Sequence, residues 1–164
     1  MTFRDAVQGD AEELTALHAA ATADLTTRFG SGHWSNFSAV RKVEGPTVFV
    51  RIRVGVERGG IVSTLRLQTT KPWAIDASYF TPVARPLYLV GIVVAVRRQR
   101  QGIGTDALQD AHQVARSWPA DAIRLDAYDG EAGAGPFYVK CGYTECGRTR
   151  YKGNPLIYFE HLLA

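Results

Sequence analysis

The stretch VVAVRRQRQGIG, from Val93 to Gly104, joins an apolar run to two glycines through five arginine and glutamine side chains. It overlaps LYLVGIVVAV (87–96), whose almost continuous apolar character is typical of a central strand buried on both faces, so Val93–Val96 are expected in the core. After the glycines, a helix up to Trp118-Pro119 is predicted by one apolar face: Ala107, Leu108, Ala111, Val114 and Ala115. The stretch therefore predicts a strand, a basic glycine loop and a helix.

The segments before this stretch predict a strand, a helix and a hairpin. FRDAV (3–7) reads as a strand, and a helix follows from an N-cap at Asp10, with Glu13 completing a capping box, as far as Gly30. TVFVRIRVGVE and IVSTLRLQ (47–57 and 61–68) alternate in polarity and predict a hairpin. Residues 69–86, with three prolines, predict a loop over one end of the sheet.

The segments after the stretch complete a mixed sheet. AIRLDAY (122–128) predicts a buried strand, and AGPFYVKCG (134–142) predicts a short helix that ends at Gly142. YTECGRTRY and NPLIYFEHLL (143–151 and 154–163) predict a final pair of strands. The order of elements predicts an α/β fold with a mixed sheet.

Composition predicts one globular domain over residues 1–164, with 46% hydrophobic and 21% charged residues and a net charge of +3. The only basic cluster, Arg97, Arg98 and Arg100, is too short for a nucleic-acid surface, and Arg97 and Arg98 are expected in solvent. The absence of a signal-peptide pattern and of a bilayer-spanning run predicts a cytoplasmic protein without a membrane partner.

Cysteine and histidine usage argues against disulfide and metal chemistry. Cys141 and Cys146 do not form a C-x-x-C pair, and both are expected as free thiols. The histidines do not have the spacing of metal ligands, so no metal is predicted. They are His18, His33, His112 and His161.

The two glycines of the loop predict an anion site. A helix that starts near Gly104 presents unpaired amides and the positive end of its dipole, and glycines leave no side chain between those amides and a phosphate. Two phosphate-binding contexts compete. GIGTDA (102–107) fits a dinucleotide fingerprint with Asp126 about 20 residues on, but RRQRQ separates the strand from Gly102 and few βα units follow.

The other context is a basic Q/R-x-x-G-x-G loop between a strand and a helix, which Gln99–Gly104 fits. This loop resembles the pyrophosphate loop of the GNAT superfamily of acetyl-CoA-dependent N-acetyltransferases. GPFYVKCGY (135–143) resembles the second signature of that family, and the order of elements agrees over nearly the whole chain. The resemblance implies a central, mostly antiparallel sheet, splayed between its fourth and fifth strands and flanked by helices.

The same resemblance implies transfer of an acetyl group from acetyl-CoA, by direct attack in a ternary complex, to a primary amine. The pantetheine arm would lie beside Leu87–Val96, where this strand parts from Ala122–Ala127, and Gly91 suits either a bulge or a close backbone contact. Tyr138 would be the general acid, and an amide near Val94 would polarise the carbonyl. The residues implied in cofactor binding are Val94, Val96, Gln99, Arg100, Gln101, Gly102, Ile103, Gly104 and Thr105.

The general base and the acceptor stay open at this point. Tyr88 is the only polar side chain of the fourth strand, and Glu131 stands where the family often has asparagine. The candidate carboxylates are Asp126, Asp129 and Glu131. A small-molecule amine or amino acid is the expected acceptor, in a monomer or homodimer, near His33, Trp34, Trp73 and Tyr79. The alternatives are a non-catalytic acyl-CoA sensor of the same fold and a pure interaction domain.

Overall fold

The computed structural model describes residues 1–163; Ala164, the last residue of the predicted domain, lies outside them. Seven strands and three α-helices occur in the described chain, which confirms the mixed α/β fold. In chain order they are β1 (Thr2–Asp5), α1 (Ala11–Phe29), β2 (Val50–Glu57), β3 (Gly60–Gln68), β4 (Pro86–Val94), α2 (Ile103–Ser117), β5 (Ala122–Tyr128), α3 (Gly135–Lys140), β6 (Thr144–Tyr151) and β7 (Asn154–Leu162).

The strands follow the order β1-β2-β3-β4-β5-β7-β6. The ladders β1–β2, β5–β7 and β6–β7 are antiparallel, whereas β4 and β5 run parallel. Within residues 1–163, no helix has the length and the apolar character needed to span a bilayer.

The chain forms two compact units, and β4 and α2 each contribute to both. The first unit contains Met1–Leu67 and Val90–Ala111. Its helix α1 buries Leu14 and Leu17, and Leu14 joins a core cluster with Ala6, Val43 and Val54. Leu14 and Leu17, which lie three residues apart on one face of α1, therefore face the core.

The predicted capping box at the start of α1 is wrong. The Asp10 carboxylate accepts a hydrogen bond from the Val7 amide at 2.8 Å and forms a bidentate ion pair with Arg4 at 2.8 and 2.9 Å. Glu13 accepts a hydrogen bond from the Ile61 amide at 2.9 Å. Both carboxylates bind partners outside α1, because a short 3-10 turn over Gln8–Asp10 precedes the helix.

The second unit contains Gln68–Leu89 and the chain from His112 onward. Its core cluster includes Ile75 and Phe80 from the predicted loop, together with Tyr88, Leu156 and Tyr158 from the strands. The Tyr158 hydroxyl donates to the Ala74 carbonyl and accepts a hydrogen bond from the Asp76 amide. The loop is therefore anchored both by its buried side chains and by hydrogen bonds from its backbone to Tyr158.

The prediction that β4 is buried on both faces holds only for its first half. Leu87, Tyr88 and Leu89 are buried, but Gly91 is exposed and Ile92–Val96 are half-buried, so the expectation of a core position for Val93–Val96 is wrong. The described ladder to β5 runs only from Pro86↔Ala122 to Tyr88↔Arg124, as expected for two strands that part. Gly91 has φ +65°, the left-handed conformation that a glycine takes in one type of bulge.

Among described atoms, none lies within 4 Å of the position that a Cβ on Gly91 would occupy. The alternative reading of Gly91 as a close backbone contact is therefore wrong. The residue is needed for its left-handed conformation, which a side chain would strain.

Candidate active site

The glycine loop lies in the first unit and has the conformation that only a few residue types adopt easily. A 3-10 turn spans Val96–Arg98, and α2 begins at Ile103. Between them Arg100 has φ +60° and Gly102 has φ +85°. In the described chain, no heavy atom comes within 4 Å of a Cβ placed on Gly102, so the space above this residue is open. The loop therefore exposes bare backbone where an anion can approach.

The first turn of α2 begins directly after Gly102. The Asp106 amide makes the first intrahelical bond, to the Gly102 carbonyl at 3.0 Å. The amides of Ile103 and Gly104 precede it and have no carbonyl one turn back within the helix. These amides and the positive end of the helix dipole favour a bound anion.

Side chains of the loop are used to hold its shape. Gln99 donates to the Val94 carbonyl at 3.2 Å, and Gln101 donates to the Arg97 carbonyl at 3.2 Å. The Ala95 amide bonds to the Val62 carbonyl at 2.8 Å, which fixes the end of β4 against β3. The nine residues implied in cofactor binding, from Val94 to Thr105, thus form one continuous structure in the first unit.

Arg98 does not lie free in solvent, contrary to the prediction. It is half-buried and forms an ion pair with Glu57, the last residue of β2. The hydrogen bond from Arg98 holds the pKa of Glu57 below its usual value. Arg97 is exposed, as expected.

Tyr138 lies in the second unit, on α3, and is only 5% exposed. Its ring packs against those of Tyr143 and Phe159, with centroids 5.6 and 5.8 Å apart. Burial, together with the negative charge of Asp126, raises the pKa of Tyr138 well above its ordinary value. The phenol is therefore protonated at neutral pH, which is the state that a general acid needs.

The three candidate carboxylates have different surroundings. Asp126 is half-buried on β5 and acts electrostatically on Tyr138. Asp129 forms an ion pair with Arg148 at 3.3 Å, and Glu131 is exposed. Of the three, only Asp126 has an electrostatic effect on the pKa of the phenol.

The sequence reading missed a buried charged pair in the second unit. Arg124 and Glu160 are each 5% exposed, and Glu160 accepts a hydrogen bond from the Thr81 amide at 2.8 Å. Arg124 donates to the Thr81 carbonyl at 2.8 Å and to the Tyr88 hydroxyl at 3.2 Å. A glutamate inside the apolar run LIYFEHLL was the available signal, because buried charges need partners.

Burial would raise the pKa of Glu160. However, hydrogen bonds from Thr81 and Cys146 and the charge of Arg124 hold it below its usual value. Glu160 is therefore ionised at neutral pH and anchors the loop that contains Thr81. Tyr88, the only polar side chain of β4, is buried in the same group of contacts.

The aromatic residues predicted for the acceptor are divided between the units. Trp73 is 90% exposed and Tyr79 meets Tyr158 edge-on at 5.2 Å, whereas His33 and Trp34 pack edge-to-face at 5.3 Å in the first unit. The first unit also holds an open cleft of about 500 Å³. Its lining residues are Glu13, Ala16, Leu17, Ala20, Asp24, Ile61, Ala95, Val96 and Arg97.

Cys141 and Cys146 are free thiols, as predicted. Burial, hydrogen bonding to Glu160 and the charge of that carboxylate raise the pKa of Cys146 to about 12. A thiol that stays protonated is a poor nucleophile. No group of metal-ligating side chains occurs among residues 1–163.

The acetyltransferase (GNAT) family model matches residues 20–143, which include the glycine loop and Tyr138. The chain belongs to this family. The resemblance found in the two sequence signatures is therefore confirmed, and so is acetyl-CoA as the cosubstrate typical of the family. No curated protein matches the chain at a significant level.

Solved structures with little sequence identity share the fold. An aminoglycoside 6'-N-acetyltransferase complexed with coenzyme A matches with a TM-score of 0.71 and 16% identity over 100% of this chain and 98% of its own. YncA from Salmonella typhimurium, solved with its cofactor acetyl-CoA, matches with a TM-score of 0.70 and 15% identity over 100% of this chain and 94% of its own. A ribosomal-protein-alanine N-acetyltransferase from Brucella melitensis matches with a TM-score of 0.67 and 16% identity over 99% of this chain and 100% of its own.

Proposed function

We propose that the chain transfers an acetyl group from acetyl-CoA to a primary amine of a small molecule or amino acid, by direct attack within a ternary complex. The observation that carries this proposal is the loop before α2, where Arg100 and Gly102 are left-handed, the space above Gly102 is open and the first amides of α2 have no carbonyl one turn back. Those amides suit the two phosphates of coenzyme A. The family to which the chain belongs supports the acetyl group as the group that is transferred.

The loop and the end of β4 have separate tasks in this proposal. The amides from Arg100 to Thr105 bind the diphosphate, and the backbone groups of Val94 and Val96 pair with the amides of the pantetheine arm. The Val94 carbonyl already accepts a hydrogen bond from Gln99, and a carbonyl oxygen has a second lone pair for the arm. An amide near Val94 donates to the carbonyl oxygen as negative charge develops there.

Acetyl-CoA supplies a thioester whose carbonyl carbon is attacked by a neutral amine, so that a C–N bond forms and the C–S bond breaks. Tyr138, which is protonated at neutral pH, donates its proton to the departing sulfur. The attacking amine loses one proton. Asp126 is the carboxylate that we assign to take it, because it is half-buried on β5 and acts electrostatically on Tyr138.

The cleft beside α1 is the volume that we assign to the acceptor. Apolar Ala16, Leu17 and Ala20 line it together with the carboxylates of Glu13 and Asp24. Carboxylates attract a protonated amine, which gives up one proton to solvent before it attacks in its neutral form, and an apolar floor favours a carbon skeleton. A compact amine therefore suits the cleft better than a protein tail.

Two measurements test the proposed function. Acetyl-CoA should raise the melting temperature through binding to the folded state, and NADH should not. A panel of small amines should then release free thiol from acetyl-CoA with the wild-type protein. Stabilisation by NADH alone would favour the dinucleotide reading, whereas acetyl-CoA binding without thiol release from any amine would favour the sensor.

A further inference from the structure

Among the ion pairs on the odd-numbered face of β2, those of Arg53 and Glu57 have opposite polarity and lie four residues apart. Arg53 and Glu57 point to the same face because side chains alternate along a strand. Between them lies Gly55, where an added Cβ would come within 2.4 Å of Ser63 Oγ and 2.9 Å of Phe3. The ion pair of Arg53 contacts α2, which follows the glycine loop, and the ion pair of Glu57 contacts Arg98, at the beginning of that loop.

The first ion pair holds α2. Arg53 binds Asp110 through two bonds of 2.8 Å, and both side chains are nearly buried, at 11% and 12% exposure. Asp5 adds a bond of 3.1 Å to Arg53. A bidentate pair of this kind fixes orientation as well as distance, so α2 and its first amides are held against β2.

The second ion pair holds the beginning of the loop. Glu57 binds Arg98, and the Nε atom of Arg98 donates to Oε1 of Gln101 at 3.0 Å. Gln101 then donates to the Arg97 carbonyl at 3.2 Å. This chain of contacts closes the loop across Arg100, whose φ of +60° is unfavourable for a residue with a side chain.

We propose that Glu57 is a positioning residue, which acts through Arg98 and Gln101 to keep the loop in the conformation that binds the diphosphate of coenzyme A. The inference rests on the proposed function. A loop that is already ordered loses less conformational entropy on binding, so the contribution of Glu57 appears in cofactor affinity. The chemistry itself does not involve Glu57.

The variant Glu57→Gln distinguishes positioning from simple charge neutralisation. If Glu57 only neutralised Arg98, its removal would strengthen binding of the anionic cofactor. If Glu57 positions the loop, the variant weakens binding, by about twofold to fivefold for an ion pair with this exposure. The sign of the change therefore decides between the two roles.

The matched control is Glu44→Gln, because Glu44 forms an exposed ion pair with Arg66 at 2.9 Å in the same unit. We expect Glu57→Gln to raise the KM for acetyl-CoA and the Kd for coenzyme A with kcat unchanged. Hydrogen exchange in the free protein should become faster in the peptide spanning residues 97–104. Glu44→Gln should change neither, and Glu57→Asp should restore part of the affinity.

Equal or tighter coenzyme A binding by Glu57→Gln, or loop exchange that matches the wild type, would overturn the positioning role alone. Failure of the wild-type protein to bind coenzyme A would overturn the proposed function, and this inference with it. The exchange measurement needs no ligand, so the two failures are separable.

Discussion

Replacing Gly102 by alanine tests whether the loop before α2 binds the cofactor. Gly102 has φ +85°, so alanine introduces backbone strain of about 1–2 kcal/mol without meeting any described atom. For a chain of this size the strain lowers the melting temperature by about 2–8 °C. The added methyl group also projects into the open space that we assign to the phosphates. Coenzyme A should therefore bind at least about tenfold more weakly, which corresponds to about 1.4 kcal/mol.

Gly153→Ala is the matched control for this experiment. Gly153 has φ +82° in the turn between β6 and β7, and no described atom lies within 4 Å of its Cβ position either. Both variants thus carry the same backbone strain and should melt at similar temperatures. Isothermal titration with coenzyme A separates them, because only Gly102→Ala should lose affinity. Equal affinities in the two variants would refute the assignment of the loop.

Three further predictions concern the acid, a buried histidine and the support of α2. Tyr138→Phe should lower kcat by about 100-fold and leave the coenzyme A Kd within about twofold, since only the proton donor is lost; equal turnover would remove the acid role. Burial, with the charges of His161 and Arg116, lowers the pKa of His112 from 6.5 to about 4, so stability should fall by up to about 3 kcal/mol as the pH decreases from 6.5 to 4. Urea unfolding of the wild type and of His112→Gln at several pH values in this range measures how steeply the free energy of unfolding falls as the pH decreases. The fall should be smaller in the variant. Asp110→Asn should lower the free energy of unfolding in urea by about 2 kcal/mol, less than the loss typical of a buried pair. The loss is smaller because Asp5 still pairs with Arg53 in this variant. An unchanged urea midpoint would contradict the stabilising role of the Arg53–Asp110 ion pair.

The sign of the His112 prediction follows from which state binds the proton. Folding keeps the imidazole neutral, 9% exposed and hydrogen-bonded to the Tyr143 hydroxyl at 2.9 Å, while the unfolded chain takes up a proton at its ordinary pKa. Stability is therefore complete above that pKa and decreases below it. A flat stability profile between pH 6.5 and 4 would contradict the structure around His112.

Local patterns in the sequence were enough to predict the order of elements and the anion-binding loop. Helical and strand periodicity, the glycines at 102 and 104 and the run GPFYVKCGY depend on backbone preferences that short segments express by themselves. These signals predicted the family, which the match over residues 20–143 confirms. The roles of Tyr138 and of the loop amides stay predictions.

The tertiary structure decided the partners of the charged side chains. Asp10 and Glu13 resemble a capping box in sequence, but Glu13 binds Ile61, which is distant along the chain. Arg53 and Asp110 are also far apart in sequence, and their pairing depends on strand register and helix placement, which no local pattern encodes. The same holds for Glu160 on β7, where only the fold shows which polar groups offset the burial of a charge. In this chain the sequence determined the glycine-loop backbone that we propose binds phosphate, and the fold determined the side chains that hold that backbone in place.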